Sequence, residues 1–259
     1  MRKESEYFKT RLKLLMLENK EYKINLLMGI ISNIMLFITI MIFYFIVGGL
    51  FLKEYGFRNI DFVLMFILLL FSSLSWRLFS NKDISRYLKS GEFNKMLTLP
   101  INTFVFQTPL SIKGVGLVNI MITSSIAIII LVFNYSYENY VYGFIVLFFG
   151  NILQFAVLNA LFSFSFFMKE NMFLHRLYYG GITRSVEEFT PIAFSQSPIF
   201  LIMALLPASI YGFWSVEAFK GNLEMFNTIL IASCIGVGIF SFIIYLNWKY
   251  GLKRYEAFG

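Results

Sequence analysis

One histidine and one cysteine, His175 and Cys234, are all this 259-residue chain offers toward imidazole or thiol chemistry. One cysteine cannot close an internal disulfide, so no oxidising compartment is implied. One histidine cannot supply a multi-histidine zinc centre, and Cys234 lies far off in an apolar run. His175 reads as a cytoplasmic loop residue and Cys234 as a small apolar filler. The adjacent carboxylates Glu187 and Glu188 lack the second histidine of an H-E-x-x-H site and read as a solvated pair at a helix start. No G-x-x-x-x-G-K-[ST] loop is present to cradle nucleotide phosphates, and no G-x-S-x-G elbow to raise a nucleophilic serine. An enzyme with its own nucleophile, base or metal set is not expected.

The residues with the most informative spacing lie between Ser80 and Pro100. Ser80 or Asn81 can cap a short helix that Gly91 is placed to end. Ile84, Tyr87 and Leu88 then share one face at i, i+3 and i+4. A second short turn, Phe93–Leu99, stops before Pro100, which disfavours helix in the residue preceding it. Two short amphipathic helices in this position could bind a soluble protein or rest on a membrane. Residues 1–23 contain a similar pattern, with charges interspersed among Tyr7, Phe8, Leu12, Leu14, Leu15 and Leu17. It suits a helix lying along a membrane surface, as an anchor or as a contact for a cytoplasmic partner.

The elements that carry these segments follow from composition. Hydrophobic residues make up 58% of the chain and charged residues 14%, with mean hydropathy +0.70. A soluble domain of this size needs far more charge to cover its surface. Spanning a bilayer takes about 20 predominantly apolar residues. Five uncharged runs satisfy this: Ile24–Leu52, Gly114–Tyr137, Asn139–Met168, Phe189–Val216 and Met225–Trp248. A sixth, Phe62–Trp76, is shorter and needs Asp61 at one interface and Arg77 snorkelling at the other. Gly48-Gly49 is expected to break the first run near the surface. Pro191, Pro198 and Pro207 mark the fifth span as the one to be kinked or broken. Ala232 and Gly236, with Gly238 nearby, predict close packing by the last.

Basic residues set the orientation. Residues 1–23 carry seven, 77–113 six, 169–188 three and the tail from Lys249 three, which is nineteen of the twenty-two Lys and Arg. The opposite side keeps only Lys53, Arg58 and Lys220. The positive-inside rule then predicts both termini in the cytoplasm. The net charge of +7 lies on that face, where it favours anionic lipid; a nucleic-acid partner has no folded soluble module to support it. The apolar run after residue 23 is too long for a signal-peptide core and reads as a retained first span.

Inside the spans the polar residues are uncharged. Asn119, Thr123, Asn151 and Asn159 are the candidates for lining a translocation path. Hydrogen-bonding glue between helices is the plainer reading of any one of them. A proton- or ion-coupled carrier keeps ionisable groups near the midplane, so energy is expected from elsewhere.

The stretch Lys89-Ser90-Gly91-Glu92-Phe93-Asn94-Lys95-Met96-Leu97-Thr98-Leu99-Pro100-Ile101-Asn102 resembles the cytoplasmic segment of type-two, exporter-like ABC transporter permeases. There a charged helix runs into Ser/Thr-Gly-Glu, a hydrophobic residue, a polar pair, Leu-Leu and Pro; here Leu99 stands where a basic residue often precedes the proline. The tail Gly251-Leu252-Lys253-Arg254-Tyr255-Glu256-Ala257-Phe258-Gly259 is similar to the Arg-Tyr-Glu-x-x-Gly ending of a small six-span bacterial subgroup. This resemblance implies an all-α polytopic membrane protein of six transmembrane helices plus short cytoplasmic amphipathic helices. It would form a single permease domain over 1–259 in a bacterial plasma membrane, with an N-terminal amphipathic helix at 1–23 and a coupling segment at 80–106. It implies a second permease, as homodimer or heterodimer, and a separate cytoplasmic ABC ATPase that holds the ATP and Mg; this chain would bind no cofactor. It implies ATPase docking through Lys82–Leu99, with Asp83, Arg86, Tyr87, Gly91, Glu92 and Phe93 in the docking element. Export of a hydrophobic or amphipathic compound such as a peptide, lipid or drug is the expected function. A non-transporting immunity, sequestering or assembly factor is the alternative.

Overall fold

The structure is a computed structural model that describes residues 57–79, 84–98, 114–168, 172–176, 178 and 204–255, with scattered positions between 6 and 42. Every one of those scattered positions is helical. Among the described residues there is no strand, and the helices are α1 Asn59–Phe79, α2 Ile84–Ser90, α3 Glu92–Leu97, α4 Gly114–Asn134, α5 Tyr140–Ser163, α6 Met172–Arg176, α7 Pro207–Ser209, α8 Ser215–Lys220 and α9 Phe226–Arg254. A 3₁₀ turn, Phe164–Phe166, prolongs α5, and a π-helix, Ile210–Trp214, joins α7 to α8.

Three described segments are long and apolar enough to cross a bilayer: Gly116–Asn134, Tyr137–Phe166 and Phe226–Arg254. Their outward faces carry bare hydrocarbon. Phe133 is 81% exposed, and Ile128, Ile231, Ile235 and Phe242 are exposed as well. Such faces are stable against lipid rather than water. The apolar part of α1, Asn59–Ser75, is shorter than these three. The expected first span is described only at scattered positions from 24 to 42, and most of the fifth lies outside the described residues, as do the Gly48-Gly49 break, Pro191, Pro198 and Glu187-Glu188. His175 stands in α6 rather than in an irregular loop, and Cys234 is exposed rather than filling a core.

The described end of the fifth run is broken, as its prolines predict. Leu206 is extended (φ −64°, ψ 140°) and Pro207 opens α7 as its first residue, where a missing N–H costs nothing. In the π register that follows, the Ile210 carbonyl accepts from the Ser215 backbone N–H and from the Ser215 hydroxyl at 3.0 Å. Glycines let this broken segment wedge between α1 and α5. A Cβ on Gly150 of α5 would lie 2.8 Å from the Tyr211 backbone nitrogen, and one on Gly143 would fall inside the Phe219 ring. On the other side, a Cβ on Gly212 would meet Leu69 of α1 at 2.9 Å. Gly221 ends α8 in the left-handed region (φ +89°), and its two cap bonds, Gly221 N to Ala218 O and Asn222 N to Glu217 O, are those of a Schellman turn.

The last helix runs beyond the uncharged stretch that ends at Trp248: α9 continues to Arg254. Twenty-nine residues span about 43 Å of helix, against about 30 Å of hydrocarbon, so the terminal turns with Lys249, Lys253 and Arg254 stand clear of it. Gly236 packs closely, its absent Cβ leaving 2.7 Å to Leu153 of α5, whereas Gly238 faces open space. Asn247 of α9 donates to the Ser163 hydroxyl of α5 at 2.8 Å, a direct bond between the two helices.

Candidate functional site

Two ends of this bundle carry concentrated polar chemistry. At one end sit α2 and α3, hinged at Gly91, whose φ of +72° is a conformation open to glycine at little cost. Local bonds tighten the hinge: Asn94 N donates to Gly91 O at 3.1 Å, and Thr98 Oγ1 donates to Lys95 O at 2.9 Å. Ile84, Leu88 and Phe93 turn inward and are buried, Phe93 completely. The Phe93 ring sits in an aromatic seat: Tyr255 at 5.1 Å, Phe166 at 5.7 Å and Trp248 at 6.3 Å between centroids. Gly251 completes it, because a Cβ there would lie 2.5 Å from Phe166. The seat is built from the end of α5 and the end of α9.

Magnitudes decide what holds the segment. Burying one phenylalanine is worth about 1.5–3 kcal/mol, and each edge-to-face ring contact adds about 0.5–1.5 kcal/mol. The charged groups Arg86, Lys89, Glu92 and Lys95 are exposed, and surface pairs contribute about 0–1 kcal/mol. The apolar seat therefore fixes the segment, and the charged residues form its outer face. Arg86 lies 5.1 Å from the centre of the half-buried Tyr87 ring.

Of the six expected docking residues, Asp83 lies outside the described residues. Arg86, Tyr87 and Glu92 stand on or beside the outer face, and Gly91 is the hinge. Phe93 points inward, so it positions the segment instead of presenting itself to a partner. Sequence reading missed the seat itself, although Tyr255 belongs to the tail stretch singled out there. The two stretches that carried the resemblance are thus in contact through Phe93 and Tyr255.

Of the four candidate path residues, three bond back along their own helices. Thr123 of α4 is buried and returns its hydroxyl to Asn119 O at 2.9 Å. Asn151 and Asn159 of α5 donate to Leu147 O and Phe155 O, each at 2.8 Å and four residues back on the same helix. The α4 residues Ala127, Ile130 and Leu131 join the core built around α1, as does Leu147 of α5, while Val146, Leu153 and Val157 of α5 join the one shared with α2, α3 and α9.

The opposite end holds a cluster whose only sequence signal was the Arg58-x-x-Asp61 spacing. Asp61 is fully buried and accepts from Arg58 N at 2.8 Å, from Arg58 Nη2 at 2.9 Å and from Tyr135 Oη at 2.5 Å. Burial, then the bond to Asp61, pushes the Tyr135 phenol well above its ordinary range. The same carboxylate raises the Arg58 guanidinium. Nearby, buried Glu217 accepts from Lys220 Nζ at 2.7 Å and Asn222 Nδ2 at 2.6 Å, and Lys220 lies 4.0 Å above the Phe57 ring.

A family model described as "ABC-2 family transporter protein" matches residues 24–259. Neither the curated proteins nor the solved structures gave a match.

Proposed function

Because the chain belongs to the ABC-2 family of transporter proteins, we propose that it is the membrane-spanning permease subunit of an ATP-driven exporter of hydrophobic or amphipathic compounds. A separate cytoplasmic ATPase would supply ATP and Mg, and a second permease would complete the path. The chain would form one permease domain over 1–259, cross the plasma membrane six times and keep both termini inside. The nineteen-to-three split of basic residues supports that orientation. The docking element would be Lys82–Leu99 within the coupling segment 80–106.

The observation that carries this reading is the seating of Phe93 on the joined ends of α5 and α9. A push by the ATPase on Arg86, Lys89, Glu92 and Lys95 would enter the bundle through that ring. α5 and α9 would move together, being joined by Asn247–Ser163 and by the close approach at Gly236. α5 in turn holds the broken segment 207–220 through Gly143 and Gly150, so motion begun at the docking end would reach the far end. The apolar character of the spans supports a hydrophobic or amphipathic cargo; Asn119, Thr123 and Asn159 are buried within the chain, so they and the half-buried Asn151 would meet it only where transport motion uncovers them.

Two variants test this. The tagged chain, isolated from its native membrane in mild detergent, should bring down a P-loop ATPase in stoichiometric amount. Glu92→Lys, on the outer face, should lower that recovery with no change in thermal unfolding. Phe93→Ala should lower both, since emptying an aromatic core site costs about 3–5 kcal/mol. Full ATPase recovery with both variants would remove the segment from the coupling role. Repeated isolation with no ATPase would favour the sequestering or assembly factor.

A further inference from the structure

At the end of the bundle opposite Phe93 there is a cavity of about 280 Å³. Arg58 and Lys220 line it, together with Asn134, Asn139 and Ser136. Tyr135 and Phe219 supply aromatic wall. No carboxylate is among its lining residues. The two carboxylates that neutralise these cations are withdrawn from it: Asp61 is 0% exposed while its partner Arg58 is 54% exposed, and the Glu217 side chain is 8% exposed against 22% for Lys220. Each ion pair therefore turns its positive end to the cavity and buries its negative one. Both cations are fixed in place, Arg58 by three nitrogens on Asp61 and Lys220 by Glu217 and the Phe57 ring. Preorganised donors of this kind suit an oxyanion, which accepts at several oxygens at once.

Size and surroundings narrow the ligand. Drug-sized ligands occupy pockets of about 300–1,000 Å³, so this one suits a headgroup rather than a whole amphipath. Beside Asn134 and Ser136 stand Phe133, 81% exposed, and Tyr137, 76% exposed, apolar surface on which a tail can lie. We infer that this cavity is a binding site for the phosphorylated head of a membrane amphipath, held by Arg58 and Lys220 with its tail running along α4. The site needs the chain to lie in a membrane but not to transport anything, so it stands or falls apart from the exporter reading.

Ser136 gives a clean test. It lines the cavity, is exposed, and makes no side-chain cap bond, so its replacement leaves both ion pairs intact. The full chain in mild detergent is incubated with phosphatidylglycerol or with phosphatidylcholine of the same acyl chains, and retained lipid is counted by native mass spectrometry. Wild type should retain the anionic lipid over the zwitterionic one. Ser136→Asp should lower that retention about fivefold and Ser136→Lys should keep or raise it, with thermal unfolding unchanged in both. Equal phosphatidylglycerol retention by the two variants would overturn the site. Displacement of the lipid by millimolar inorganic phosphate would overturn the amphipath, leaving a free oxyanion as the ligand.

Discussion

A single buried carboxylate shows how residue chemistry is shared across this fold. Asp61 would be costly alone in a bilayer-facing helix, and it is stabilised by Arg58 three residues earlier and by Tyr135 seventy-four residues later. Removing the phenol, as in Tyr135→Phe, should cost about 1–3 kcal/mol by leaving one acceptor site of Asp61 unmet. The pH dependence follows from the direction of the shift. The Tyr135 pKa is raised above its ordinary value of 10.0, so folding favours the protonated phenol. That stabilisation is fully present below about pH 10 and is lost as pH rises through the folded value. Thermal unfolding measured from neutral to alkaline pH should show a constant advantage of wild type over the variant up to about pH 10, shrinking above it. An advantage that fades at neutral pH would discard the Tyr135–Asp61 bond as its source. Sequence spacing exposed Asp61 as an interfacial carboxylate and put Arg58 on its own side of the membrane. It could not expose Tyr135, because nothing local links two helix ends so far apart in the chain.

Helices built to approach one another depend on where glycine sits. A Cβ on Gly150 would lie 2.8 Å from the Tyr211 backbone nitrogen and one on Gly238 would meet nothing within 4 Å, although both glycines lie within apolar spans. Gly150→Ala should therefore push the π-helix off α5 and cost about 1–3 kcal/mol. Gly238→Ala should be neutral or slightly stabilising through helix propensity. Comparing the two unfolding midpoints in detergent checks this, and equal effects would mean that the segment 207–220 adapts freely. The positions of α4, α5 and α9 and the break at Pro207 were legible from hydrophobic run length and proline alone. The packing role of Gly143 and Gly150 was not, because their seven-residue spacing matters only once a partner segment is known. The helix α9 outlasts its uncharged run. Basic residues after Trp248 mark where the membrane ends, but nothing in Lys249–Arg254 opposes helix, and packing of Gly251 on Phe166 extends it.

For the whole molecule, the proposed orientation can be read directly. With Cys234 first replaced by serine, Ser136→Cys should react with a membrane-impermeant maleimide added to intact cells. Glu92→Cys should react only after the membrane is opened. The reverse pattern would invert the topology and place the Arg58 end inside. The seat of Phe93 has a further consequence, in the order of synthesis. Tyr255 follows Phe93 by 162 residues, so at about 5–20 residues per second the ribosome delivers the ring roughly ten to thirty seconds before the last wall of its seat. Until α9 emerges, α2 and α3 have only the α5 end with Phe166 to settle on. On the proposed docking role, a chain made only that far would hold its charged face less firmly for a partner than one in which α9 has closed the seat.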